Sequence, residues 1–193
     1  VKTKLTIAAL GCATVASLVG LSHCKLTSLK YTVTPIQYPK LIKPTVKLVN
    51  WTDEIIEGVK RFESFRSQPY RCPAGVLTVG YGYTGPGANL PVTHTQAEHL
   101  LRKELSEAAK IVDRNIHVKL TEYQRAALVS FTFNCGESNL RQLVNGKNRL
   151  NAGNYDSIVK LMPKYMYGNG KPLRGLSKRR GWELQVWQGI FTI

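Results

Sequence analysis

The stretch FESFRSQPYRCPAGVLTVGYGYTG, residues 62–85, decides how this chain folds. It carries one carboxylate, Glu63, then Cys72, then Thr78, and closes on an alternation of Gly and Tyr. Ahead of it, Ile55, Ile56, Val59 and Phe62 recur at helical spacing, with Thr52 placed to cap. The expected helix runs to about Phe65 and carries Glu63 in its last turn. Pro69 ends any helix, and AGVLTVGYGYTG reads as a small hairpin or three-stranded sheet. A carboxyl is thereby placed on a helix end facing a small sheet that bears a thiol and a hydroxyl.

That juxtaposition is one way to set an acid above a sugar cleft, although a lone Glu near a helix end is more often a solvated surface residue. Glycoside hydrolysis needs a proton donor on the leaving oxygen and a second group across the sugar, to activate water or stabilise the reacting centre. Phe62, Phe65 and Tyr70 give Glu63 an apolar setting that favours the neutral, proton-carrying acid. Tyr81 and Tyr83 are candidates to line a sugar groove.

Outward from this stretch the pattern is helical. Thr95 with Glu98 and Thr121 with Gln124 form capping-box patterns. They open helices to about Asn115 and, through the apolar AALVSFTF, to Asn134, with a stop near Gly136. Further helices are expected over Leu140–Asn151 and Tyr155–Met162. After the loop GNGKPLRGL, Ser177 caps a last helix to about Trp187. The fold class is α+β: mostly helical, with a small sheet near the start of the domain.

Before Trp51 the chain is of another kind. Lys2 and Lys4 precede an uncharged run, Leu5 to Ser22, which as a helix spans about 27 Å, close to a bilayer's hydrocarbon core. Only seven of its residues are strongly apolar, and the rest are small or weakly polar. Such a helix is able to enter a bilayer and to leave it. Thr14–Ala16 is a mediocre cleavage site and His23 a poor neighbour for a lipoprotein cysteine, so a retained transmembrane or signal helix fits better than a cleaved signal peptide. Residues 25–50 hold five lysines, three prolines and no acid, and read as a basic tether near anionic headgroups. A short edge strand at Tyr31–Thr34 is the alternative. The expected division is 1–24 signal or anchor segment, 25–50 tether, 51–193 catalytic domain.

The formal net charge of +15 points to anionic partners. Export removes cytoplasmic nucleic acid from the candidates and leaves the cell envelope. The four cysteines, Cys12, Cys24, Cys72 and Cys135, show no C-x-x-C spacing, and the histidines complete no metal-site pattern. No cofactor or metal is expected, and in an oxidising compartment the cysteines are disulfide candidates.

The central stretch resembles the phage-type lysozymes, the endolysins of glycoside hydrolase family 24. Their motif is Glu, eight residues, Asp or Cys, five residues, Thr, matched here by Glu63, Cys72 and Thr78. GYGYTG is similar to the family's GYGHTG, with Tyr83 in place of His. TQAEHLL, LTEYQRAALVSFTFNCG, LNAGNYDSIV and LRGLSKRRGWELQVW resemble family segments in the same order, over residues 52 to 189. The weak anchor and tether resemble the signal-anchor-release endolysins.

The resemblance implies a helical lysozyme-like fold and cleavage of the β-1,4 bond between N-acetylmuramic acid and N-acetylglucosamine in peptidoglycan. It maps Glu63 to the general acid and Thr78 to the group holding the attacking water or reacting centre. Cys72 falls at a position that is Asp in many members. Asn134 joins Tyr81 and Tyr83 as a candidate groove residue. Two other readings are a lytic transglycosylase using Glu63 alone, and a non-catalytic basic envelope-binding protein. The expected protein is a monomer, held at the inner membrane through residues 5–22 and then released to the periplasm. A thiol at position 72 also permits a redox latch: Cys24 or Cys135 bonds Cys72, and Cys12 frees it after the segment leaves the bilayer.

Overall fold

The computed structural model describes residues 51–72, 75–168 and 170–190. The expected anchor, tether and Tyr31–Thr34 strand, with Cys12 and Cys24, lie outside them. The described part is mostly helical with two small antiparallel sheets.

Helix α1, Trp51–Lys60, buries Ile55, Ile56 and Val59, and Asp53 and Glu54 in its first turn suit the positive end of the helix dipole. It stops earlier than expected. The N–H groups of Phe62 and Glu63 both donate to the Val59 carbonyl, at 2.9 and 3.1 Å, and close the end. Glu63 therefore stands in the turn beyond α1 rather than in its last helical turn. The early stop lets Phe65 stack on His94, ring centroids 3.6 Å apart, and pack on Tyr81 at 5.4 Å.

Strand β1, Arg66–Arg71, begins before Pro69 and pairs antiparallel with β2, Leu77–Gly80. Pro69 falls where the register shifts between Arg66 and Tyr70, an irregularity that tolerates the missing donor. A single bridge, Val79 to Tyr83, extends the hairpin in place of a third strand.

Helix α2, His94–Asn115, starts two residues before the expected position, because Thr93 and Gln96 form the capping box. Helix α3, Glu122–Val144, is capped by Thr121 and Gln124 as its sequence predicts. Its first helical segment ends near Gly136, as expected. That residue, at φ 79°, puts a kink in α3, and the helix resumes to Val144. Ala126, Ala127, Leu128 and Phe131 of α3 are fully buried against α2, α1 and the last helix.

The expected helix over Leu140–Asn151 is divided between the end of α3 and a 3-10 turn at Leu150–Ala152. Helix α4, Asp156–Leu161, continues into a second 3-10 turn at Met162–Met166. A second hairpin follows, β3 Tyr167–Gly168 with β4 Lys171–Pro172, which sequence patterning did not reveal. Helix α5, Arg174–Trp187, starts three residues before Ser177 and has no side-chain cap. Gly58 of α1 lies against α5 so closely that an added Cβ would sit 2.0 Å from the Trp182 ring.

Candidate active site

Glu63 stands where two cavities meet. One, of 270 Å³, is lined by Glu63, Arg66, Tyr70, Cys72, Thr78 and Gly82 among others, and so runs along the β1–β2 hairpin. The second, of 420 Å³, is shared by Glu63, Asn134, Leu173, Lys178 and Arg179 and runs between α3 and α5. The carboxyl thus belongs to both halves of a cleft.

The three motif residues are brought together. Thr78, on β2, is 3% exposed, and its hydroxyl donates to the Val76 carbonyl at 3.0 Å. Its lone pairs remain to accept a hydrogen bond. Cys72, just past β1, is buried as a free thiol, with its backbone fixed by Cys72 N–H to Val76 O at 2.9 Å and Gly75 N–H to Cys72 O at 2.7 Å. Gly82 has φ 95°, and a Cβ there would lie 3.8 Å from Glu63 Oε2, so this turn passes close to the acid.

A cation holds Glu63. Arg179 Nη1 on α5 donates to Glu63 Oε1 at 2.5 Å, and its side chain is only 2% exposed. The setting of Glu63 is therefore not simply apolar. One carboxylate oxygen is engaged by α5, while the other faces the hairpin near Gly82. Behind Arg179 lies a buried network. Glu183 Oε1 accepts from Arg179 Nε at 3.3 Å, Arg180 Nη2 at 2.9 Å and Ser130 at 2.8 Å. Arg180 also reaches Asn134 Oδ1 at 2.9 Å and Cys135 Sγ at 2.8 Å. A buried carboxylate shared by two guanidinium groups avoids the cost that either charge would carry alone.

Asn134 lines the second cavity. The two tyrosines differ. Tyr81 is 8% exposed and packs in the core on Phe65, under the Lys60 ammonium. Tyr83 donates to the Pro86 carbonyl at 3.1 Å and lines a separate apolar cavity with Leu90, Val92 and Leu100. Neither lines the cavities at Glu63. The even alternation of Gly and Tyr hides that the chain turns at Gly80 and Gly82, both at positive φ, which redirects the rings.

Cys135 is also a free thiol, turned toward Arg180, so a Cys72–Cys135 disulfide is not part of this fold. Burial pushes the Cys135 thiol up, opposed by the Arg180 charge. Another group that sequence reasoning missed is Glu104, on the inward side of α2. Its carboxyl is pushed up to about 7 by burial, with the negative charge of Glu63 adding to the effect. Among the described residues no three His, Cys, Asp or Glu side chains converge on a metal-sized site, and no helix is long and apolar enough to cross a membrane.

The sequence profile of the family described as phage lysozyme matches residues 60–183, most of the described chain. The chain belongs to that family. It is 36% identical to the SAR-endolysin of Escherichia phage Mu over 132 residues, 68% of this chain and 77% of that one. Among solved structures it is similar to the muramidase domain of SpmX from Asticaccaulis excentricus. That match has TM-score 0.62 and 31% identity, over 72% of this chain and 95% of that one. It is also similar to an endolysin from Escherichia coli O157:H7 phage FAHEc1, with TM-score 0.61 and 26% identity, covering 76% and 96%. The matched span contains Glu63, Cys72, Thr78 and the Arg179–Glu183 network, so the family assignment and the cleft rest on the same part of the chain.

Proposed function

We propose that this chain is an endolysin that hydrolyses the β-1,4 bond between N-acetylmuramic acid and N-acetylglucosamine in peptidoglycan. The observation that carries the reading is a single carboxyl, Glu63, held by Arg179 at the junction of two cavities. Cys72 and Thr78 line the same cavity from the hairpin. A glycan strand lying along both cavities brings one glycosidic oxygen to Glu63. Glu63, once it has taken up a proton from solvent, gives that proton to the oxygen as the bond breaks. The anomeric centre left behind faces Thr78 and Cys72. A water accepted by their polar atoms adds there, delivers its hydroxyl to carbon and loses its proton on that side, and Glu63 takes up a proton from solvent for the next turn. Arg179 acts as a positioning residue, because it fixes one carboxylate oxygen and leaves the other to the substrate.

A lytic transglycosylase would use the same acid and no water. Mass analysis of the released muropeptides separates the two: hydrolysis leaves a reducing muramic end, one water heavier than the 1,6-anhydro end of the transglycosylase. A non-catalytic envelope-binding protein would release no muropeptides.

Residues 5–22 fit export and weak anchoring in the inner membrane, ahead of the tether at 25–50 and the catalytic domain at 51–193, with later release to the periplasm as a monomer. In this reading Cys24 holds Cys72 in a disulfide until Cys12 leaves the bilayer. The Cys12 thiolate then attacks the Cys24 sulfur, forming Cys12–Cys24 and returning Cys72 as a free thiol, with no net oxidation.

A further inference from the structure

The charge of the described chain is unevenly placed. Residues 157–182 hold seven cations and no acid. Two of them, Arg179 and Arg180, are buried in the network behind Glu63. The other five, Lys160, Lys164, Lys171, Arg174 and Lys178, are all exposed and take part in none of the ion pairs among the described residues. In α1 and α2, by contrast, four of the five lysines and arginines, Lys60, Arg102, Lys110 and Arg114, pair with carboxylates.

The chain's path gathers these five. Lys160 and Lys164 are one helical turn apart, as are Arg174 and Lys178. Between them the β3–β4 hairpin brings Tyr167 opposite Pro172 and Gly168 opposite Lys171, and the Leu173 N–H donates to the Met166 carbonyl at 2.8 Å. Two large apolar side chains are exposed here, Tyr167 on β3 at 52% and Leu173, just past β4, at 37%.

We propose that this hairpin and its flanking turns form a docking surface for an anionic lipid bilayer, separate from the apolar run at residues 5–22. Unpaired cations draw the surface to anionic headgroups, and their charges act together because neighbours lie within a screening length. Tyr167 and Leu173 decide between lipid and wall polymer. A glycan strand stacks on a lone aromatic ring, whereas the headgroup–acyl boundary takes up an aromatic ring and a leucine together among lysines. Docking has a consequence for the cleft, since Leu173 and Lys178 also line the cavity beside Glu63. A bilayer on this surface covers that end of the cleft and slows access of a glycan strand. The docking itself does not depend on hydrolysis, so its failure would leave the proposed activity untouched.

The test uses the full chain and vesicles of phosphatidylglycerol with phosphatidylethanolamine, compared with pure phosphatidylcholine. The variant is Lys164→Gln/Lys171→Gln/Arg174→Gln, three positions outside both cavities at Glu63. The control, Lys103→Gln/Lys119→Gln/Lys147→Gln, removes the same charge from exposed positions elsewhere. At about fivefold per cation at low salt, the hairpin variant should lose about 100-fold of the preference for anionic vesicles. The control should retain that preference, and all three proteins should bind neutral vesicles alike through residues 5–22. Anionic vesicles should slow hydrolysis of soluble wall fragments by the wild type and not by the hairpin variant. Equal losses in both triple variants would reduce the effect to net charge and overturn the proposal. So would an unchanged hairpin variant. Loss of binding to purified wall in a Glu63→Gln background, with lipid binding intact, would assign the surface to the substrate instead.

Discussion

Replacing Arg179 by Met tests how the cleft is held. The substitution keeps an unbranched side chain in a site that is 2% exposed and removes both the 2.5 Å contact to Glu63 and the 3.3 Å contact to Glu183. Breaking a buried pair by deleting one partner costs about 3–5 kcal/mol. Two features favour the low end. Glu183 keeps Arg180 and Ser130, and the Glu63 side chain is 17% exposed, so water stabilises part of its charge. A loss of about 3 kcal/mol lowers Tm by roughly 6–12 °C for a domain approaching 150 residues. Activity should fall further than stability explains. With Oε1 released, Glu63 is no longer held toward the hairpin, and misplacement of a catalytic group costs on the order of 10²-fold. The assay pairs thermal unfolding by circular dichroism with the rate of wall hydrolysis, measured well below both melting temperatures. Arg179→Lys, which keeps charge but not the forked donors, should fall between. An Arg179→Met protein with Tm within about 2 °C of wild type and hydrolysis within about twofold would refute the positioning role.

Three further outcomes are expected. Glu104 is held near 7 in the folded state against an ordinary 4.5, so the native state binds the extra proton between those values and stability falls as pH rises through that window. Glu104→Gln should therefore raise Tm at pH 8, by up to about 3 kcal/mol of stability, and change little at pH 5, and an equal effect at both would contradict the assignment. Gly58→Ala forces a Cβ to within 2.0 Å of Trp182 and should destabilise the α1–α5 contact by about 1–3 kcal/mol, read as a lower urea midpoint. Cys12→Ser should be released from the membrane on schedule yet stay inactive until a reductant is added, while Cys24→Ser should lyse early; lysis by Cys12→Ser on the normal schedule without reductant would exclude the exchange.

Much of the frame is legible in the local sequence. Thr121 and Gln124 mark the start of α3 because a capping box is a local device. Thr93 and Gln96 precede Thr95 and Glu98 in a second pattern of the same kind, and the helix takes the earlier one. Gly136 signals the break that its positive φ makes between the two helical segments of α3. The β3–β4 hairpin has two residues per strand, too few for any alternation to show. At the site, the spacing of Glu63, Cys72 and Thr78 was readable because the hairpin is local. The Arg179 contact crosses 116 residues, and Glu104 approaches from another helix, so no local pattern contains either. The tyrosines misled for a related reason, since their direction is set by positive-φ glycines and by packing on Phe65.

The most direct measurement is the rate of muropeptide release from purified peptidoglycan by Glu63→Gln against the wild type. The substituted amide keeps the shape of the carboxyl and its oxygen can still accept from Arg179, which also keeps Glu183, so the protein should fold, with a lower Tm from the neutralised ion pair. The amide cannot give up a proton, and general acid catalysis is worth about 10²–10⁴-fold. The account predicts a folded protein whose release of reducing-end muropeptides falls by at least about 10²-fold. A folded Glu63→Gln protein that releases them at near the wild-type rate would contradict it.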